Sequence, residues 1–187
     1  MKVVSNSGPI IAFAKLGLIQ VLNELYSTVV IPSPVYREVV IKGLQKGEDD
    51  AKDIRIAVDL GRLKVEYINE NELSEEIKDT PLHIGEKAVI QYMLNSRTEL
   101  GLLDDKIARE IAKKLGFKVK GTLGIVVEAY RKEILSERDT EFLFKEINSS
   151  LKVISIIAIK ESSILKDTLN AIEKNKPEYL KVWELLK

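Results

Sequence analysis

The chain has 187 residues, enough for one domain with a sizeable hydrophobic core and a short extension. Its 29 basic and 29 acidic residues balance, so net charge does not indicate a nucleic-acid-binding protein, and a hydrophobic share of 45% excludes an intrinsically disordered chain. Cysteine is absent, which excludes disulfides and thiolate metal sites. No apolar run reaches the roughly 20 residues that span a bilayer and no signal peptide opens the chain, so we expect a cytoplasmic protein without membrane contact.

Short apolar segments alternate with amphipathic segments through the first 132 residues. The apolar runs predict five strands, over residues 2–5, 28–31, 63–68, 100–103 and 117–120. Helical spacing predicts helices over residues 10–16, 18–26, 34–42, 48–60, 80–97, 106–115 and 123–132, while the acidic stretch 69–80 is expected to be a surface loop. This alternation predicts an α/β fold of three layers, α/β/α, around a central, mostly parallel sheet.

The first strand is followed by Asn6, Ser7, Gly8 and Pro9, a sequence typical of a turn that leads into a helix. Asn6 therefore lies at the carboxyl end of a predicted strand, where open α/β sheets bind their ligands. Asparagine is also common in turns for local reasons, and taken alone Asn6 favours that simpler interpretation.

Glu38 follows the second strand, in a helix that Ser33 is predicted to cap. Val35, Glu38 and Ile41 are spaced three apart, which predicts that Glu38 is in line with apolar neighbours. A carboxylate buried in such a stripe needs a partner or a cation. The alternative is a partly exposed glutamate at the edge of the stripe, and the spacing does not decide between the two.

Glu86 stands in the first turns of the helix predicted over residues 80–97. Val89, Ile90 and Met93 lie on its side of that helix, so Glu86 begins an inward-facing stripe. The preceding residue, Gly85, would let another segment or a substrate approach closely. His83 is the only histidine, which favours a capping or packing role, because a metal pair or a proton shuttle would need a second one.

Asp104 and Asp105 stand between the fourth strand and the helix that follows it. Aspartate is a favoured helix cap, and a cap explains one of the two acids better than it explains both. Side chains of adjacent residues at a helix start diverge by about 100°, so the sequence does not show which aspartate points inward.

The helix after Asp105 carries three basic residues, Lys106, Arg109 and Lys113, away from its apolar side. They fit RNA binding, and they fit a solvated helix face equally well. Thr122 is predicted to cap the next helix, and its hydroxyl or that of Ser7 could position water or phosphate.

Asn6, Glu38, Glu86, Asp104 and Asp105 are thus all predicted near the carboxyl ends of strands or the starts of the helices that follow. Carboxylates held together repel, so such a site needs raised pKa values or a bound cation. Ligands that are all oxygens favour Mg²⁺ or Mn²⁺ over zinc. A cation of this kind can activate water and stabilise the charge that develops during phosphodiester cleavage.

Four motifs occur in order: NSGPI at 6–10, VYREV at 35–39, GEKAVI at 85–90 and LLDDKIAR at 102–109. Their order and spacing over residues 1–132 resemble the PIN-domain nucleases, most closely the toxin-like branch of VapC type. The resemblance implies an endoribonuclease that uses Mg²⁺ or Mn²⁺, forms a homodimer and has a small antitoxin partner. It places Glu38, Glu86 and Asp104 in the catalytic acidic cluster, with Asp105 assisting.

The sequence departs from the family pattern where Asn6 stands in place of the usual first aspartate. An amide oxygen can bind a metal but carries no charge, so metal affinity is expected to fall. Glu86 is one methylene longer than the usual aspartate. A PIN-like module that binds nucleic acid or takes part in assembly, with catalysis weakened at Asn6, is therefore the main alternative to a nuclease.

Two further expectations complete the sequence-based picture. A phospho-acceptor domain of receiver type ranks last, because it requires an acid pair after the first strand, where this chain has Asn6. Residues 1–132 are predicted to form the PIN-like nuclease domain. Residues 133–187 are predicted to form a mainly helical extension that packs on the core or on a second subunit.

Overall fold

The structure of the protein is a computed structural model, which describes residues 2–136 and 139–140. The chain divides into two units, Met1–Ile125 and Val126–Lys187. In the first unit five strands form one parallel sheet: β1 (Val3–Ser5), β2 (Val29–Pro32), β3 (Leu63–Glu66), β4 (Leu100–Leu102) and β5 (Lys118–Lys120). The strand order is β3-β2-β1-β4-β5. Helices flank the sheet, so the predicted three-layer α/β/α fold is confirmed.

Helices follow or precede each strand. They are α1 (Ser7–Lys15), α2 (Ile19–Tyr26), α3 (Ser33–Tyr36), α4 (Gly43–Lys46), α5 (Asp49–Asp59), α6 (Glu75–Lys78), α7 (Ile84–Ser96), α8 (Lys106–Lys114) and α9 (Thr122–Arg131). A π-helical segment, Arg37–Lys42, joins α3 to α4, and a 3-10 turn, Glu70–Glu72, precedes α6. Among the described residues no helix is long and apolar enough to cross a membrane.

The centre of the sheet is buried on both faces. Every residue of β1 and β4 is buried, as expected for central strands of a parallel sheet covered on both sides. The strand order reverses between β1 and β4, since the chain proceeds from β1 through β2 to β3 on one side and from β4 to β5 on the other. In open α/β sheets the crevice at this switch point, at the carboxyl ends of the strands, is where ligands bind.

The segment after β2 differs from the prediction at both ends. Pro32, not Ser33, is the N-cap of α3, and the Ser33 hydroxyl instead accepts a hydrogen bond from the Ile68 amide at 3.1 Å. The predicted break at Gly43 is also wrong, because helix continues through Gly43 and ends at Gly47. A Cβ at Gly43 would lie 2.7 Å from the Ala51 Cβ, so this glycine allows α5 to pack closely.

The stretch 69–80 is not the bare surface loop that its acidic composition suggested. Leu73 and Ile77 are buried, and the Ser74 amide donates to the Gln91 side chain at 2.8 Å. Because these two apolar residues are four apart, they lie on one side of the α6 region, and this region packs against α7. Helix α7 itself begins at Ile84 rather than at residue 80, because His83 is its N-cap.

The second unit is described over residues 126–136 and 139–140 only. There α9 continues to Arg131 and Lys132 pairs with Glu128 at 3.2 Å. The helical extension predicted for residues 133–187, including its packing, lies almost wholly outside the described residues.

Candidate active site at the carboxyl ends of β1 and β4

Asn6 leaves β1 at the switch point, and its backbone N–H donates to the Leu102 carbonyl of β4 at 3.0 Å. The residue is 4% exposed and is the N-cap of α1, yet its side chain makes no capping hydrogen bond. Its Oδ1 is buried and lacks a hydrogen-bond partner in the described part of the chain. Such an oxygen is costly to leave unsatisfied, so it is available to a water molecule or a cation.

Asp104, on the neighbouring strand end, is held firmly. Its Oδ1 accepts from the Thr122 backbone N–H at 2.7 Å, and its Oδ2 accepts from the Thr122 hydroxyl at 2.6 Å. Thr122 is the first residue of α9 and is 2% exposed. The Asp104 carboxylate therefore satisfies an amide in the first turn of α9, and the Thr122 hydroxyl serves Asp104 instead of capping its own helix.

Asp105 has a different role from its neighbour. It is the N-cap of α8, and its Oδ1 accepts from the Ala108 amide at 2.7 Å. The simple capping interpretation thus holds for Asp105, while the Asp104 carboxylate lies beside α1 and α9. The two adjacent acids diverge because Asp105 occupies the N-cap position of α8, whereas Asp104 lies in the connection between β4 and that cap.

Glu86 lies in the first turn of α7 and is half-buried. Its Oε2 accepts from the His83 backbone N–H at 2.7 Å, which confirms a capping role for the histidine position. Burial raises the pKa of the Glu86 carboxyl above its usual value of 4.5, and the negative charges of Asp105 and Glu38 raise it further, although the His83 N–H lowers it. Glu86 therefore lies in the negative field of two other predicted site residues.

Glu38 is exposed and lies on the π-helical segment. Two interpretations were open for Glu38, a buried carboxylate in an apolar stripe and an exposed one at the edge of that stripe, and the structure shows the exposed one: Val35 is buried, but Ile41 is 42% exposed. A π-helix bonds residue i to residue i+5, so a spacing of three no longer returns to one face. The carboxylate nevertheless lies beside α7, because a Cβ at Gly85 would be 3.4 Å from Glu38 Oε2. The close approach predicted at Gly85 is thus made by Glu38.

The other predicted positions are used locally. The Arg109 guanidinium donates to the Asp104 carbonyl at 2.7 Å and to the Leu103 carbonyl at 3.3 Å, so it secures the end of β4. Lys106 pairs with Glu110 on the same helix at 3.9 Å, and both side chains are exposed. Lys113 is exposed, and Ser7 is half-buried at the start of α1.

Glycines around Asp104 are the site feature that sequence reasoning missed. A Cβ at Gly8 would lie 2.6 Å from Asp104 Oδ2, and a Cβ at Gly121 would lie 3.1 Å from Asp104 Oδ1. The sequence signal that could have identified this feature is the position of the two glycines. Gly8 comes soon after β1 and Gly121 directly after β5, so each lies at the carboxyl edge of the sheet. Nothing in the local sequence shows that both face the same carboxylate.

The chemistry of the donor set fits a hard divalent cation. All five candidate donors are oxygens, one of them is the unsatisfied Asn6 Oδ1, and Glu38, Glu86 and Asp105 interact electrostatically. Among the described residues, however, no group of three or more histidine, aspartate or glutamate side chains is close enough to hold a metal ion. Asp104 and Asp105 are both engaged by donors of the protein itself.

Comparisons with known proteins agree with this arrangement. A family model described as PIN domain, a nuclease fold, matches residues 2–171, which is most of the chain. No curated protein matches the sequence. The parallel sheet, the acidic residues at its switch point and the extent of the family match lead to one conclusion: this chain belongs to the PIN-domain family.

Proposed function

We propose that this protein is a metal-dependent endoribonuclease that hydrolyses RNA phosphodiester bonds with Mg²⁺ or Mn²⁺. The observation that carries the proposal is the gathering of acidic side chains from separate elements at the switch point of a nuclease fold. Asp104 follows β4, Glu86 begins α7, and Glu38 lies against that same turn of α7. The pKa of Glu86 is raised mainly by burial and further by the charges of Asp105 and Glu38, and a bound cation would offset that unfavourable environment of its carboxylate.

Each site residue has a separate proposed role. Asn6 offers its unsatisfied Oδ1, and Glu38 and Glu86 offer carboxylates that lie close to one another at the start of α7, so these three are the proposed ligands together with Asp104. Asp105 assists by its negative charge, which contributes to the raised pKa of Glu86. When bound, the cation would supply Lewis acidity toward water and the scissile phosphate. Thr122 contributes indirectly, by orienting the Asp104 carboxylate.

RNA is the proposed substrate, and Lys106 and Lys113 are the proposed contacts to its phosphates. Both are exposed on α8, the helix that begins next to Asp105. Each neutralised phosphate adds affinity that depends on salt concentration. Arg109 contributes less to this surface, since its guanidinium already donates to two backbone carbonyls.

The biological role we propose is that of the toxin in a toxin–antitoxin pair, acting in the cytoplasm as a homodimer with a small antitoxin partner. This part rests on the resemblance of the four motifs to toxin-like nucleases of VapC type. Induced expression should then arrest growth, and Glu38→Gln and Asp104→Asn should abolish the arrest. Growth arrest by the variants as well would contradict a role that depends on cleavage.

The direct test is RNA cleavage with Mn²⁺ or Mg²⁺, compared with EDTA, for the native protein, Asp104→Asn and Glu38→Gln. Cleavage that needs metal and is lost in both variants supports the nuclease and its acidic cluster. Glu24→Gln is the matched control, because Glu24 is an exposed glutamate near the end of α2. The chain continues from there to the amino end of β2, whereas the site lies at the carboxyl ends of the strands. Equal loss in this control would contradict the assignment.

A catalytically weakened module that binds nucleic acid is the second candidate. It is favoured by the neutral Asn6 and by the lack of a group of three acidic side chains at metal-binding distance within the described residues. RNA binding without cleavage would support it. In that case Asn6→Asp, which replaces the neutral amide by a charged carboxylate, should restore cleavage.

A further inference from the structure

The Asp104 side chain is enclosed by groups from three different elements. Thr122 of α9 holds both carboxylate oxygens, at 2.7 and 2.6 Å. Gly121 lies beside Oδ1, and Gly8 of α1 lies beside Oδ2. The Arg109 guanidinium fixes the backbone of the same residue through its carbonyl at 2.7 Å.

Gly8 is the most restrictive of these neighbours. A Cβ on Gly8 would lie 2.6 Å from Asp104 Oδ2, 3.2 Å from its Cβ and 3.3 Å from its Cγ. Contacts under 3.0 Å force a shift, and the carboxylate has little freedom to make one. A shift of the carboxylate would disturb its two hydrogen bonds from Thr122, and Gly121 is a second close neighbour, since a Cβ there would lie 3.1 Å from Oδ1. Gly8 is helical, so its role is to leave room and not to permit an unusual backbone conformation.

We propose that Gly8 is a positioning residue for Asp104: the missing side chain in the first turn of α1 sets where the carboxylate can lie. The structural part of this proposal is independent of the enzyme activity. Its catalytic consequence rests on the proposed nuclease function. Alanine is more favourable than glycine in a helix, so a penalty from Gly8→Ala would have to come from the collision with Asp104.

The first experiment measures the midpoint of denaturant unfolding in EDTA for four proteins: native, Gly8→Ala, Asp104→Ala and the double variant. Gly8→Ala should lower the midpoint in the native background. In the Asp104→Ala background, Gly8→Ala should lower the midpoint much less or raise it. The reason is that the contacts to Oδ2 and Cγ are gone and the 3.2 Å contact to Cβ remains. Equal losses in both backgrounds would overturn the proposal.

Failure of Gly8→Ala to fold does not prevent the test. A double variant that folds when Gly8→Ala does not supports the collision with Asp104, and a double variant that fails to fold although Asp104→Ala alone folds overturns it. Because this cycle is read in the absence of metal and RNA, its result is separate from that of the cleavage assay. Lack of cleavage by the native protein would remove the proposed function and leave the positioning contact standing.

The second experiment measures kcat and KM for RNA cleavage by folded Gly8→Ala. A displaced carboxylate should lower kcat by about 100-fold and leave KM nearly unchanged, because RNA binding does not involve Gly8. Gly124→Ala is the matched control, because its Cβ would lie 2.8 Å from Lys120 Cγ and would meet no residue of the proposed site within 4 Å. Full kcat in Gly8→Ala, or an equal loss in Gly124→Ala, would overturn the proposal.

Discussion

The acidic residues of the site fall into two groups that the protein holds in different ways. Asp104 and Asn6 form the strand group, at the ends of two buried central strands, and Asp104 is fixed by two hydrogen bonds from Thr122. Glu38, Glu86 and Asp105 form the helix group, in or before the first turns of helical segments, where each is exposed or half-buried. The strand group is held by tertiary contacts, whereas Glu86 and Asp105 are held chiefly by capping bonds to nearby residues.

This difference shows how one site can combine a carboxylate of fixed position, that of Asp104, with a carboxylate that is free to rotate, that of Glu38. A carboxylate bound on both oxygens loses little further entropy when a ligand arrives, but it has few lone pairs left to offer. An exposed carboxylate such as Glu38 can rotate toward a cation at low cost. We therefore expect substitutions in the strand group to affect folding and catalysis together, and those in the helix group to affect charge more than folding.

The largest effect is expected from Asp104→Ala. It removes the acceptor of the buried Thr122 amide and hydroxyl, and hydrogen bonds to charged groups are worth about 2 kcal/mol each. The free energy of unfolding should fall by at least about 2 kcal/mol, and metal-dependent cleavage should be lost. Chemical denaturation in EDTA measures the first effect. A variant as stable as the native protein would contradict the division into two groups.

Thr122→Val should have the next largest effect. It keeps the shape and the backbone N–H of the residue but removes the hydroxyl that donates to Asp104 Oδ2. A loss of about 1 kcal/mol in unfolding free energy and about tenfold in kcat is expected. Thr122→Ser, which keeps the donor, serves as the control. Cleavage that falls equally in the serine variant would show that the methyl group, not the hydrogen bond, matters.

Asp105 can be tested for its two roles separately. Asp105→Ala removes the cap of α8 and should cost about 1 kcal/mol, while Asp105→Asn keeps a good cap and removes only the charge. Both variants should bind Mn²⁺ more weakly than the native protein in calorimetric titration. If the asparagine variant lost as much stability as the alanine variant, the capping role would be wrong.

The smallest effect is expected in the pH dependence of stability through Glu86. Folding raises its pKa, so the folded state binds a proton more readily than the unfolded state does. Its contribution to stability is therefore complete below the usual value of 4.5 and is lost as pH rises through the higher folded pKa. Unfolding in EDTA should show Glu86→Gln gaining stability relative to the native protein as pH rises from below 4.5 through the higher folded pKa.

Glutamine at position 86 can still accept the His83 N–H bond, so helix capping is preserved in this comparison. A stability difference that stays constant with pH would show that Glu86 has the same proton affinity in the folded and unfolded chains. Glu72→Gln, in the exposed 3-10 turn before α6, is a control for the loss of one surface carboxylate.

Much of the fold could be read from local pattern. The three central strands, β1, β2 and β4, were predicted at their positions because buried strands of a parallel sheet are continuous apolar runs. The helices between the strands followed from apolar spacing. Errors occurred where distant contacts decide: Leu73 and Ile77 are buried and make an acidic stretch part of the packed structure, and Gly43 lies within a helix, where it packs closely on Ala51.

Amino-acid sequence by itself determined that acidic side chains stand at the carboxyl ends of strands, since strand direction and parallel order place those ends on one edge. Only the tertiary structure decided what each acid does. Asp104 meets Thr122, 18 residues later, and Gly8, from the first helix, while Asp105 needs only Ala108 three residues away. Capping is a local geometry that a sequence can show, whereas enclosure of a carboxylate requires distant segments to be brought together by folding.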